Sequence, residues 1–184
     1  MINICKFISL KNYVPLGIPS EDDFIIQEKE ITLTSSKNVL VDNLWISVDP
    51  YMRARMTEKK NYKEPFVIGE PMEGAAVGVV KETNSKDFNI GDYVLSNCGW
   101  RNKFVENDRN LKKINAHNFP IQSYLGPLGM NGHTAHVGLF KIGQLKKKSN
   151  YFSFCCRRKC WFASMSNSKI TWLHSCSKYW IRRK

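Results

Sequence analysis

The sequence predicts a mainly β fold: a small barrel of short strands, one helix after it, and a tail that belongs to neither. Three observations carry this. Between Val39 and Glu106, short apolar and β-branched runs recur at close spacing, separated by Gly, Asp and Pro, which is the pattern of a small barrel. Beyond Ile121 the strand pattern gives way to apolar residues at helical spacing. Composition then breaks near residue 150.

Val39 to Val48 (VLVDNLWISV) is rich in β-formers and apolar on both faces, as a buried strand is. Asp49-Pro50-Tyr51-Met52-Arg53 ends it, because Pro50 has no N–H to give a ladder. Phe66 to Gly69 leads into a second strand, Gly74 to Val80, whose glycines mark a bend or a close backbone approach. Asn89 to Leu95 reads as turn plus strand, Asn102 to Glu106 as a short strand, and Ile114 to Ala116 as the start of an irregular link. From Thr134 to Ile142, Ala135, Leu139 and Ile142 recur at helical spacing. Gly129 to Gly132 is expected to be a flexible loop before that helix, and Gly143 to end it.

The chain has 184 residues, enough for one domain with a core, or one domain and part of a second. At 42% hydrophobic it is globular in composition. No run approaches the ~20 apolar residues of a membrane span. The start, Met-Ile-Asn-Ile-Cys-Lys-Phe, lacks the layout of a secretory signal, so a cytoplasmic location is expected. The net charge of +12 is uneven: Tyr151 to Lys184 holds eight of the 28 basic residues and none of the 16 acidic ones, which leaves the first 150 residues at +4. That is an ordinary surface, so charge alone does not point the body towards nucleic acid. Cys5 and Cys98, far apart in the body, read as reduced core thiols.

Four segments stand out: NLWISVDPYMRARM (Asn43 to Met56), GEPMEGAAVGVV (Gly69 to Val80), GDYVLSNCGW (Gly91 to Trp100) and YLGPLGMNGHTAHVGLFKIG (Tyr124 to Gly143). Together and in this order they resemble the zinc-free medium-chain dehydrogenase/reductase family, in the branch of prostaglandin/leukotriene and alkenal double-bond reductases. The resemblance implies a GroES-like barrel over residues 1–150 with a linking helix, followed in intact members by a Rossmann domain, with the site in the cleft between. It implies NADPH as cofactor and hydride transfer to an unsaturated carbonyl (an enal or enone) or a quinone as reaction. Zinc-dependent relatives place a Cys after the third strand and a His-Glu pair downstream. This chain has Ser47-Val48-Asp49-Pro50 at the first place, and the body holds only His117, His133 and His136, so no metal site is expected.

By the same resemblance, Tyr51 and Arg53 lie on the substrate side, while Met52, Met130 and Thr134 lie beside the nicotinamide; Gly129 and Gly132 allow close backbone approach. No residue of this chain is assigned as catalytic. Four of these assignments have a plain structural alternative. Tyr51 is a packed aromatic with its hydroxyl satisfied, Met130 is a flexible core filler, Thr134 is a helix cap, and Arg53 is one half of an ion pair. The chain departs from its relatives at Asn131 and His133, where they carry Pro and Leu, and at His136, where they carry Tyr.

After Gly143 the family continues with a strand, a glycine-rich turn and a helix that seat the pyrophosphate. Residues 151–184 contain no glycine, so that turn cannot be built there. A frameshift accounts for this. Tryptophan has a single codon, TGG, and reading one nucleotide later turns it into a glycine codon, so Trp161, Trp172 and Trp180 all become glycine. A permissible back-translation of the tail in that frame gives strand, glycine-rich turn, helix and second strand. The slip is expected between Lys146 and Tyr151. In the frame as it stands, Cys155, Cys156, Cys160, His174 and Cys176 lack paired zinc-knuckle spacing, and the tail is expected to lack ordered packing. Three functions remain: the N-terminal part of an NADPH-dependent oxidoreductase, inactive as this fragment; a non-catalytic remnant; and a basic nucleic-acid-binding module using the tail.

Overall fold

The computed structural model describes residues 2–60, 63–116 and 119–144, and the backbone of 162–166 and 169–173. Tertiary contacts divide the chain into two units, Met1–Gln122 and Ser123–Lys184.

The first unit is an antiparallel β structure. In chain order it contains β1 (Asn3–Leu10), β2 (Phe24–Ile31), β3 (Asn38–Ile46), the one-turn helix α1 (Tyr51–Arg55), β4 (Ala76–Thr83), β5 (Tyr93–Ser96), β6 (Lys103–Asn107) and β7 (Lys112–Ile114). Five strands form one sheet in the order β6-β3-β4-β5-β7, and β1 pairs with β2. The β1–β2 hairpin is laid along the segment entering β6: the Ile8 amide donates to the Trp100 carbonyl at 2.8 Å and the Asn102 amide to that of Lys6 at 2.9 Å. A Phe7–Arg101 bridge continues the contact. These links wrap the hairpin onto the large sheet and give the GroES-like arrangement that the motifs imply.

β3 is central because Val39, Leu40 and Val41 are buried on both faces, flanked by β6 and β4. Val39 and Val41 pack with Val80, Phe88, Val94 and Phe104 in the main core. The expectation that the strand stays buried to Val48 is corrected. β6 covers β3 only from Asn38 to Asp42, and two register shifts follow, so Leu44 is 47% exposed, with Trp45, Ile46 and Val48 also at the surface. In β4, Gly78 sits where a Cβ would lie 2.5 Å from the Asp42 carbonyl oxygen, so the glycine does mark a close backbone approach.

The second unit holds α2 (Met130–His136), a π-helical turn over Val137–Ile142, and a hairpin of β8 (Phe162–Ser166) and β9 (Lys169–Leu173). The loop expected over Gly129–Gly132 is corrected: the helix begins at Met130, with Gly129 as its N-cap. A Cβ on Gly132 would fall on the Pro127 carbonyl, so glycine is needed for the helix to pass its own preceding turn. Gly143 caps the π-helical turn in ordinary right-handed backbone, and the left-handed residue is Gln144 at φ 45°. The remainder of the tail, with its cysteines, His174 and Trp161 and Trp180, lies outside the described residues, as does His117.

Candidate functional site

In the first unit, the candidate residues lie on α1. Pro50 is already in helical backbone (φ −56°, ψ −31°), which suits the start of a helix that needs no N–H there. Asp49 is fixed just before it: its carboxylate accepts the Ser47 hydroxyl at 2.7 Å, and its carbonyl accepts the Met52 amide at 3.0 Å. The strand-to-helix turn that presents Tyr51 is thus held from both sides of the peptide.

Met52 points inward. It is 1% exposed and packs with Leu10, Met56, Phe66 and Met72. Gly74 makes room for it, since a Cβ there would sit 2.7 Å from the Met52 methyl. Met52 therefore meets the core and offers no ligand a surface in this unit. Tyr51 is half-buried against the same cluster, with the Lys63 ammonium 5.7 Å from its ring centroid.

Two arginines grip the chain on either side of α1. Arg53 donates from Nε and Nη2 to the Gly17 carbonyl at 3.2 and 3.0 Å, so it holds the Pro15–Pro19 loop and forms no ion pair among the described residues. Arg55, which sequence reasoning missed, is 7% exposed. It donates to the Glu64 carbonyl at 2.8 Å and to Glu73 at 3.0 Å, with its guanidinium 4.1 Å above the Phe66 ring. A buried guanidinium with a carboxylate, a carbonyl and an aromatic face is well compensated. The weak signal for it was the run Arg53-Ala54-Arg55-Met56, in which two cations flank apolar residues on a short helix.

Met130 and Thr134 share α2 in the second unit. Met130 is 80% exposed, against the core-filler alternative. Thr134 lies inside the helix, not at its cap, and its hydroxyl donates back to the Met130 carbonyl at 2.9 Å. The structure thus gathers Tyr51, Met52 and Arg53 on one helix and Met130 and Thr134 on another.

The body thiols are kept protonated. Burial pushes Cys98 up to about 11, with Glu106 adding to the rise and Arg101 opposing it, and the thiol donates to Glu106 Oε2 at 3.7 Å. Burial likewise raises Cys5. No group of three or more metal-ligating side chains occurs among the described residues, and no helix among them is long and apolar enough to cross a membrane.

The antiparallel β fold and the motifs it carries are those of the zinc-free medium-chain reductases, in the alkenal and prostaglandin reductase branch. Residues 6–114 match the family described as the N-terminal domain of oxidoreductase, and the chain belongs to it. It is 37% identical over 133 residues to the NADPH-dependent curcumin reductase of Escherichia coli, covering 72% of this chain and 39% of that protein. It is 38% identical over 152 residues to the NADP(+)-dependent 2-alkenal reductase of Nicotiana tabacum, covering 80% and 44%. Among solved structures, CurA from Vibrio vulnificus in complex with NADPH superposes with a TM-score of 0.69 at 32% identity, covering 77% of this chain and 42% of that one. The chain therefore spans about two-fifths of the length of these relatives.

Proposed function

We propose that this chain is the substrate-side part of an NADPH-dependent oxidoreductase that reduces α,β-unsaturated carbonyls or quinones, and that it is inactive as the chain stands. The observation that carries the reading is α1: a helix whose Tyr51 is displayed at the surface while Met52 anchors it in the core and Arg53 and Arg55 tie down both flanking loops. Such a mounting fixes a half-buried aromatic to within a rotamer, as a substrate wall requires. In this reading Tyr51 lines the substrate side. Arg53 acts on it through the loop it holds, and Met52 contributes by seating the helix. Met130 and Thr134 lie beside the nicotinamide.

NADPH, when bound in such an enzyme, supplies the hydride. The residues described here do not complete its site. A pyrophosphate needs a glycine turn between strand and helix, and every named strand pairing among the described residues is antiparallel. No reaction step is therefore assigned to this chain. Residues 151–184 fit the start of a cofactor-binding half read in a shifted frame, which the coding sequence across Lys146 to Tyr151 tests directly.

An NADPH titration of the purified chain tests the inactive-half reading, with quenching of protein fluorescence as signal. The expected result is no saturable change. Saturable binding with a measurable dissociation constant would overturn it.

A further inference from the structure

Trp100 has a left-handed backbone, with φ 56°, a conformation that a bulky side chain disfavours and a glycine does not. The neighbouring glycine serves another need: a Cβ on Gly99 would lie 2.8 Å from the Gly74 carbonyl oxygen. The turn is held by bonds from β1, from β3 and from the segment before β4. The Ile8 amide donates to the Trp100 carbonyl at 2.8 Å, and the Gly99 amide to that of Gly74 at 2.9 Å. The Asn43 side-chain amide donates to the carbonyls of Cys98 and Arg101 at 2.7 and 2.9 Å. Bonding of this kind keeps a strained residue in place.

What the turn delivers is the indole. It stacks on Phe24, with ring centroids 6.4 Å apart and an interplanar angle of 4°. The indole edge and the Met52 methyl converge on Gly74: a Cβ there would lie 3.4 Å from Trp100 Cδ1 and Nε1 and 2.7 Å from the methyl. Tyr51 and Trp100 pack against the cluster that contains Met52, and Met52 follows Tyr51 in a helix of five residues. A helix that short is oriented by its side-chain anchors more than by its own hydrogen bonds.

We propose that Trp100 is a positioning residue for Tyr51. Its indole and the bare Cα of Gly74 confine the Met52 side chain, and through Met52 they fix the direction in which α1 presents the Tyr51 ring. The role rests on the reading of Tyr51 as a substrate wall, and it assigns the geometry of that wall to a residue some fifty positions away in the chain.

The test is 13C relaxation of the full chain carrying 13Cε-labelled tyrosine, which reports the order of each ring. Tyr51 is assigned by its loss in Tyr51→Phe, and Tyr93 on β5 serves as the control. Trp100→Gly suits the left-handed backbone and removes only the indole. It should lower the order of the Tyr51 ring and leave Tyr93 unchanged, and Trp100→Phe should restore most of the loss. Phe24→Leu, which keeps the turn and removes the ring stacked on the indole, should lower Tyr51 order by less. Unchanged order at Tyr51 in Trp100→Gly or in Phe24→Leu, an equal loss at Tyr93, or no rescue by phenylalanine overturns the proposal. The measurement needs no substrate, so its failure is distinct from a failure of Tyr51 to serve one.

Discussion

Replacing Met52 by alanine separates two roles for that residue. A side chain that met only a cofactor would leave the isolated chain's stability unchanged on truncation. The structure places it at 1% exposure among Leu10, Met56, Phe66 and Met72, with its methyl closing the space left open at Gly74. Truncation removes three heavy atoms from a site whose neighbours are fixed by strand β1 and by the Met72 amide bonded to the Ile8 carbonyl at 3.1 Å. The site cannot collapse fully, so transfer and cavity costs add to about 2–5 kcal/mol. Met52→Leu, close in volume, should cost less than about 1.5 kcal/mol. Urea unfolding followed by far-UV circular dichroism measures both, as a lower midpoint with an unchanged slope. A Met52→Ala midpoint within error of the parent would refute the packing argument and return Met52 to the ligand surface.

Three other perturbations follow from the same geometry. Gly78→Ala sets a Cβ against the Asp42 carbonyl and should cost about 1–3 kcal/mol, read as a lowered urea midpoint; a neutral result would contradict the close β3–β4 approach. Arg53→Ala frees the Gly17 carbonyl and should speed amide exchange over Pro15–Pro19 while exchange in β3 and β4 stays unchanged; equal protection in both proteins would show that the tether has no effect. Cys98 has a native pKa raised to about 11 from 9.0, chiefly by burial. The native state therefore holds its proton more tightly than the unfolded state, so this stability is full below about pH 9 and drains as pH rises towards 11, by at most about 2–3 kcal/mol. Subtracting the pH profile of Cys98→Ala isolates that loss from lysine titration; identical slopes for the two proteins would contradict the assignment.

The sequence made some elements plain and hid others for physical reasons. β4 and β5 were legible because Gly91, with φ 92°, and Asp92 punctuate them. β1 was not, because its buried face carries Ser9 beside Cys5 and Phe7. β2 was not, because it pairs on one side only and its Gln27-Glu28-Lys29-Glu30 run is the charged dressing of an edge strand. α1 is five residues long, too short for a 3.6-residue period to register. α2 started earlier than its pattern suggested, since two glycines within four residues read as loop until the Pro127 carbonyl beside Gly132 is seen.

The site divides the same way. Tyr51 and Arg53 could be named from a contiguous motif. The partners that define what they do, Gly17 for Arg53 and the Leu10–Met72 cluster beneath Tyr51, come from distant parts of the chain and exist only once it folds. Arg55 and Cys98 were invisible as special residues for that reason: Glu73, Glu64 and Phe66 around the one, and Glu106 beside the other, are supplied by tertiary structure. The motif names Met52 beside Tyr51, but not how deeply each is set: Met52 is 1% exposed among Leu10, Met56, Phe66 and Met72, while Tyr51 packs against the same cluster from a half-buried position.

The most direct test of the central claim is a chimera of residues 1–143 with the cofactor half of the Escherichia coli curcumin reductase, assayed for oxidation of NADPH in the presence of an enone and of its saturated ketone. If the first unit is a substrate-side reductase domain, NADPH is consumed with the enone and not with the saturated ketone, and Tyr51→Ala lowers kcat/KM by about tenfold or more. A chimera that folds and binds NADPH but oxidises it no faster with the enone than without would contradict the account.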